Sequence, residues 1–132
     1  MKRREAREKA FQFLFQIDIN HDVPEQMIRE YLAEVDHHPF VEKLMRGVLE
    51  KRAELDEKIA DHLENWSLDR LPSVERTVLR LATYEIDYLD DIPNNVSINE
   101  AVILGNRYGD EKSGKFINGV LSKIVKKEGN EE

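Results

Sequence analysis

The stretch Ser73-Val74-Glu75-Arg76-Thr77-Val78-Leu79-Arg80-Leu81-Ala82-Thr83-Tyr84-Glu85-Ile86-Asp87-Tyr88-Leu89 decides the fold. Its apolar positions, Val74, Val78, Leu79, Leu81, Ala82, Ile86 and Leu89, recur at helical spacing but cover more than one face. A helix with one apolar stripe lies at a surface, whereas one that is apolar on several faces is surrounded. The pattern predicts a central, most buried helix from about Val74 to Leu89. Ser73 is placed to N-cap it by accepting from backbone amides two or three residues on.

Working outward, the periodicity stays helical throughout, and no alternating run is long enough for a sheet. Toward the N-terminus, Ala6, Ala10, Phe13, Leu14 and Ile17 form the stripe of a first helix, widened by Phe11 and Phe15, with a break at His21-Asp22. Pro24 opens a second helix with Met27, Ile28, Tyr31, Leu32 and Val35 inward. After His37-His38-Pro39, a third helix carries Phe40, Val41, Leu44, Met45 and Val48. A fourth, starting near Arg52, carries Leu55, Ile59, His62, Leu63 and Trp66. Trp66 at the end of that stripe reads as core, and residues 66–72 read as a connector. Toward the C-terminus, residues 90–95 form a turn, and Ser97-Ile98-Asn99-Glu100 has the form of a capping box. The sixth helix should end at Gly109 in a left-handed conformation. A seventh runs from about Ser113 to Lys127 on Phe116, Ile117, Val120, Leu121 and Ile124, before a tail that frays over residues 128–132. The fold class is all-α, with about seven helices.

The 132 residues suit one domain or two small subdomains, and 40% apolar content supplies a core. No cysteine is present, which excludes disulfides, zinc–thiolate sites and thiol catalysis. No apolar run approaches the roughly 18 residues of a membrane span, and the N-terminus has no signal-peptide pattern. The expectation is a soluble cytoplasmic protein.

Charge is distributed unevenly. Residues 1–9 carry five Lys or Arg against two Glu, while the whole chain is at −7. Such a balance argues against coating nucleic acid over a broad surface and permits a local anion site. Cations at a helix N-terminus oppose the macrodipole at about 0.3–1 kcal/mol each, so Lys2, Arg3, Arg4 and Arg7 are locally unfavourable there. A bound phosphate would reverse that sign. The opposite bias lies in residues 85–100, which hold five acids and no Lys or Arg. That segment is either a solvated face or a dock for a basic protein.

Gly109-Asp110-Glu111-Lys112-Ser113-Gly114-Lys115-Phe116 approaches a P-loop, but Phe116 stands where the magnesium-binding hydroxyl belongs, and no strand precedes it. What remains is a Gly-flanked loop feeding a helix N-terminus, with Lys112 and Lys115 beside amides that favour anions. His37-His38 and His62 lack metal-ligand spacing. No carboxylate pair is marked out as acid and base, and no nucleophile elbow is present. Neither metal nor cofactor is expected.

Several segments together resemble the NusB family of bacterial transcription antitermination factors. They are Val74-Glu75-Arg76, Val78 to Glu85, Ile92-Pro93, Ile98-Asn99-Glu100-Ala101 and Lys115-Phe116-Ile117-Asn118-Gly119-Val120-Leu121. The N-terminal Arg3-Arg4 with Arg7-Glu8, the run Ala10 to Phe15, and Trp66-Ser67-Leu68-Asp69-Arg70-Leu71 also fit. The resemblance covers nearly the whole chain, and residues 22–60 add little beyond helicity. It implies seven helices in two three-helix halves, here about residues 1–66 and 73–127 of one RNA-binding domain. It further implies binding of the boxA element of ribosomal RNA leader transcripts together with NusE, the free form of a small-subunit ribosomal protein. Other Nus factors and RNA polymerase are reached indirectly, without catalysis.

Carried over by position, Lys2, Arg3, Arg4 and Arg7 grip phosphates, and Phe15 approaches a base. Tyr108, Lys112, Lys115, Phe116 and Asn118 form a second RNA-facing segment, and Glu75 and Arg76 lie where RNA and NusE meet. Phe15 lacks the phenolic hydroxyl that some relatives carry there, and Lys112 replaces an acid found in some of them. For the protein partner, the resemblance gives Glu75, and charge points to Glu85, Asp87, Asp90 and Asp91. Two rival readings are the RNA-binding part of a ribosomal RNA cytosine methyltransferase and a purely protein-binding scaffold. With no Gly-rich nucleotide fold after residue 127, transferase activity is not expected of this sequence, and a basic tip is not explained by a scaffold. The sequence leaves oligomeric state open, a homo-oligomer included.

Overall fold

The computed structural model describes residues 1–18 and 22–129, with side chains as far as residue 126. His21, where a break is expected, and residues 130–132 of the tail lie outside the described residues. Among those described there are seven α-helices and no strand: α1 (Arg3–Gln16), α2 (Glu25–Glu34), α3 (Pro39–Glu50), α4 (Arg52–Ala60), α5 (Ser73–Tyr88), α6 (Asn94–Tyr108) and α7 (Glu111–Gly129). A single 3-10 turn, Leu68–Arg70, leads into α5.

Helix α5 is surrounded, as its apolar pattern requires. It packs against α1, α3 and α4 on one side and α6 and α7 on the other. Every residue from Thr77 to Ile86 is buried, the polar ones included. Phe11 and Phe13 of α1, Leu44 and Met45 of α3, and Leu55 and Ile59 of α4 fill one side of the core. Ile117, Leu121 and Ile124 of α7 fill the other. The α6–α7 pair packs tightly at Gly105, where a Cβ would stand 2.5 Å from Cδ1 of the buried Ile117 of α7.

Gly47 shows the same device where α3 meets α5. A Cβ there would sit 2.0 Å from Cζ of the buried Tyr84 ring. Alanine normally gains about 1 kcal/mol over glycine inside a helix. Here the clash outweighs that gain, because the ring it meets is held: buried Tyr84 stacks on Tyr88 at 5.3 Å. Gly47→Ala should lower stability by about 1–3 kcal/mol. A urea midpoint equal to or above that of the wild type would contradict this packing.

Several helix ends differ from the sequence reading. Ser73 is the first residue of α5 rather than its cap; Pro72 holds that place, and its carbonyl accepts from Arg76 N–H at 3.1 Å. Pro93 likewise starts α6 one turn early, its carbonyl accepting from Val96 and Ser97. Ser97 is therefore inside the helix, and the capping box does not form. Its hydroxyl instead donates to buried Glu85 at 2.9 Å, a stronger demand than an exposed helix end makes. Gly109 caps α6 at φ −110°, not in the left-handed region. Glycine is needed there for room, since a Cβ would meet Ser113 Oγ at 2.4 Å. Met27, expected inward, is 40% exposed. Helix α4 stops at Ala60, and Asn65 turns the chain at φ 68°. That turn carries Trp66 out of the core, leaving it 56% exposed.

Candidate nucleic-acid interface

The basic tip divides into a buried and an exposed part. Arg7 faces α5, where its Nε and Nη2 donate to the two oxygens of Glu85 at 2.8 and 3.0 Å. Their side chains are 5% and 2% exposed, and Glu100 lies 3.6 Å from Arg7 Nη1. Arg7 therefore grips a carboxylate and not a phosphate, and Glu85 offers no surface to a partner. This corrects both assignments. The helical period explains them, since residue 7 falls on the same inward stripe as Ala6 and Ala10.

Lys2, Arg3 and Arg4 remain exposed. Arg4 donates through Nε to Glu100 at 3.0 Å, with its own side chain 68% exposed. Arg3 meets Asp91 at 3.3 Å and lays its guanidinium 4.5 Å above the Phe40 ring. The cations that oppose the α1 dipole thus find anions on the α5–α6 turn and on α6, which offsets the local cost without any ligand. The Arg3–Asp91 pair, exposed on both sides, contributes about 0–1 kcal/mol, so a phosphate can displace that carboxylate readily; Glu100 is only 11% exposed, and a phosphate reaches Arg4 from its open side.

Residues 4, 8, 12 and 15 share one side of α1 and run along α6. From Glu100, paired with Arg4, the strip reaches Tyr108 about 12 Å farther along that helix. There Tyr108 donates to Glu8 and accepts from Gln12, both at 2.8 Å. Arg107 also pairs with Glu8 at 2.7 Å. Its hydrogen bond holds the Glu8 carboxyl below the usual range against the opposing effect of burial, while burial raises the Tyr108 phenol. Phe15, 39% exposed, stacks on Phe11 at 5.5 Å, and Phe11 lies 4.6 Å from Tyr108. An aromatic ladder therefore links α1 to the end of α6.

Beyond Tyr108 the chain turns into α7. Asp110 caps that helix, accepting from Ser113 N–H at 2.9 Å, and this bond holds its carboxyl low. The expected anion site on those amides is thus already taken by the chain's own carboxylate. Lys112 and Lys115 remain exposed, Lys115 only loosely paired with Glu111 at 3.6 Å, and Asn118 is exposed farther on.

A groove of about 480 Å³ lies between this turn and the start of α5, lined by Trp66, Leu71, Val74, Glu75, Lys112 and Phe116 among others. It joins three residues named from sequence, Glu75, Lys112 and Phe116, with one that the sequence reading placed in the core, Trp66. Glu75 is only 9% exposed, and its carboxylate has no hydrogen bond or ion pair among the described residues.

Arg76 points elsewhere. Its Nε reaches both oxygens of Asp18 at 3.1 Å and its Nη1 reaches Leu71 O at 2.7 Å, leaving the side chain 12% exposed. It holds the connector and is not presented to RNA. Of the acidic positions, Asp87 pairs with Lys58 at 2.7 Å, Asp91 pairs with Arg3, and Asp90 is exposed. Among the described residues no cluster of three His, Asp or Glu is placed to hold a metal ion, and no helix is long and apolar enough to cross a membrane.

An all-helical domain whose exposed cations flank aromatic surface belongs to the class shaped for a flexible polyanion. Residues 4–126 match the model of the NusB family, and the chain belongs to that family. It is 54% identical to the transcription antitermination protein NusB of Oceanobacillus iheyensis over 95% of this chain and 99% of the relative. The fold is similar to that of T. maritima NusB, with a TM-score of 0.86 and 42% identity over 96% of this chain and 92% of that one. It is also similar to a chain in a crystal structure of the antitermination factors NusB and NusE in complex with dsRNA. There the TM-score is 0.82 and the identity 36%, over 94% of this chain and 96% of that one.

Proposed function

We propose that this protein is a transcription antitermination factor that binds boxA-type single-stranded RNA of ribosomal RNA leaders together with NusE. Through that pair it reaches other Nus factors and RNA polymerase, and its role is binding without a chemical step. The observation that carries the reading is the single strip along α1 and α6. It has exposed Lys2, Arg3 and Arg4 at one end, Phe15 and Tyr108 beyond, and Lys112, Lys115 and Phe116 past the turn. Phosphates exchange with Asp91 at Arg3 and reach Arg4 from its open side, and unpaired bases stack on the aromatic groups. Asn118 supplies a polar contact at the edge. Asp90 and the groove carboxylate Glu75 are the acidic groups left for NusE or for RNA, with Asp87 and Asp91 reachable only by displacing their lysine and arginine partners.

If about four phosphates are neutralised, log affinity for a boxA RNA falls with log salt at a slope near −3. Arg3→Ala with Arg4→Ala should reduce that slope by more than one unit and weaken all RNAs alike. A flat salt dependence would sink the reading. Capture of NusE with no RNA binding at moderate salt would leave a protein scaffold in its place.

A further inference from the structure

Resting on the RNA-binding reading above, we propose that Arg107 is a further phosphate-contacting residue, anchored on Glu8 and turning the open side of its guanidinium to the RNA backbone. The seam between α1 and α6 carries two crosswise ion pairs. Arg4 reaches from α1 to Glu100 on α6 at 3.0 Å, and Arg107 reaches back from α6 to Glu8 on α1 at 2.7 Å. In each pair the arginine lies above and the acid below. Side-chain exposure is 68% against 11% in the first pair and 57% against 21% in the second. A polyanion arriving at the seam therefore meets two guanidinium groups before either carboxylate. Positions 100 and 107 are about 10 Å apart along α6. Arg107 thus fills the interval between the basic tip and the exposed Lys112 and Lys115 past the turn.

The local chemistry suits a phosphate. Among the described residues Arg107 donates through Nη1 alone, to Glu8. A guanidinium has five N–H donors in a planar fork, so a second edge remains to bind phosphate oxygens in parallel. The anchor is itself held from the other side. Glu8 also accepts from the Tyr108 hydroxyl, and that hydroxyl accepts from Gln12, each at 2.8 Å. Arg107 stands in the last turn of α6, where the helix dipole favours a cation, so two independent effects fix it in place. Tyr108, its neighbour, lies 4.6 Å from Phe11 in the aromatic ladder. A backbone phosphate at Arg107 therefore leaves the adjoining base next to aromatic surface.

The competing role for Arg107 is a staple between α1 and α6 that merely masks Glu8. Arg107→Gln, Glu8→Gln and the double variant separate the two, because masking has no effect once residue 8 is neutral. The full chain is titrated into labelled boxA RNA and labelled oligouridine of the same length at several salt concentrations, with anisotropy as the readout. Circular dichroism melts check that each variant folds. In the Glu8→Gln background, Arg107→Gln should weaken both RNAs about three- to ten-fold and flatten the log–log salt slope by about 0.7, the loss of one phosphate contact on a single strand. In the wild-type background the loss should be larger, since Glu8 is then unmasked as well. Equal affinity and slope for Glu8→Gln and the double variant overturns the proposal and leaves Arg107 a staple, with RNA binding intact. A loss confined to one RNA with an unchanged slope also overturns it, because a phosphate carries no sequence information. No binding of boxA RNA by the wild type removes the underlying reading, and this contact with it.

Discussion

Glu85→Ala should lower stability by about 3–5 kcal/mol, because it leaves a guanidinium buried without its anion. In a domain of 132 residues that is a fall in Tm of roughly 10–20 °C. Arg7 would keep only Glu100, at 3.6 Å and already engaged by Arg4, and Ser97 would lose its acceptor. The size of the effect does not mean that the pair contributes that much net. Desolvation of two charges offsets most of their attraction, so the loss measures the stranded partner. Two further variants separate these terms. Arg7→Met alone should be similarly costly, whereas Arg7→Met with Glu85→Leu should recover most of the loss. Thermal unfolding followed by circular dichroism reads all three. Single variants that each cost under about 1 kcal/mol would show the pair to be hydrated, contrary to its burial.

That pair also shows where sequence reading ends. The apolar pattern of residues 74–89 was enough to mark α5 as central, and the helix is indeed enclosed on both sides. The same enclosure buries Arg80, Thr83 and Glu85. Nothing local in the sequence distinguishes those polar residues from surface ones. The opposite charges that hold them are distant in the chain, Arg7 78 residues from Glu85, and Asp18 and Asp56 62 and 24 residues from Arg80, and periodicity carries no information at such separations. Arg7 was legible in part: its place on the Ala6–Ala10 stripe pointed inward, but its company of exposed cations suggested a ligand.

Helix ends were misread for a related reason. Ser73 and Ser97 are chemically good caps, but Pro72 and Pro93 fix the backbone ahead of them and start each helix earlier. Ser97 is then drawn to the buried carboxylate of Glu85. Apolar spacing puts Trp66 in the core only if α4 continues to it, and α4 ends six residues earlier, at Ala60. A single left-handed residue, Asn65, reverses that outcome and builds one wall of the groove. The resemblance to the family identified Glu75, Lys112 and Phe116 as neighbours in function. Their meeting with Trp66 in one groove follows from the turn, which no motif encodes.

A second network ties the end of α1 to α5, and its removal should be nearly as costly as that of Glu85. The Asp18 carboxylate, whose side chain is 3% exposed, accepts from Arg76 and also from Arg80 Nη1 at 2.8 Å. Arg80 reaches on to Asp56 at 2.7 Å, and Arg52 Nη2 donates to the Asp18 carbonyl at 2.5 Å. Asp18→Asn leaves two arginines facing a neutral amide that also turns donors toward them, and should cost about 2–4 kcal/mol at pH 7. Burial alone would raise the Asp18 carboxyl, but the hydrogen bond and charge of Arg76, with Arg80 behind them, hold it below its ordinary value. The sign of the pH dependence follows from that direction. A carboxylate depressed in the folded state contributes its stability above the unfolded value of about 3.9, and loses it as pH falls through the lower folded value. Protonated Asp18 is then nearly the equivalent of asparagine. The gap between wild type and Asp18→Asn should therefore be constant from pH 7 to about 5 and shrink steadily below about 4. Urea unfolding of both proteins at pH 7, 5 and 3 measures it. A gap that stays the same at pH 3 would mean that the variant is destabilised by its shape and not by the missing charge.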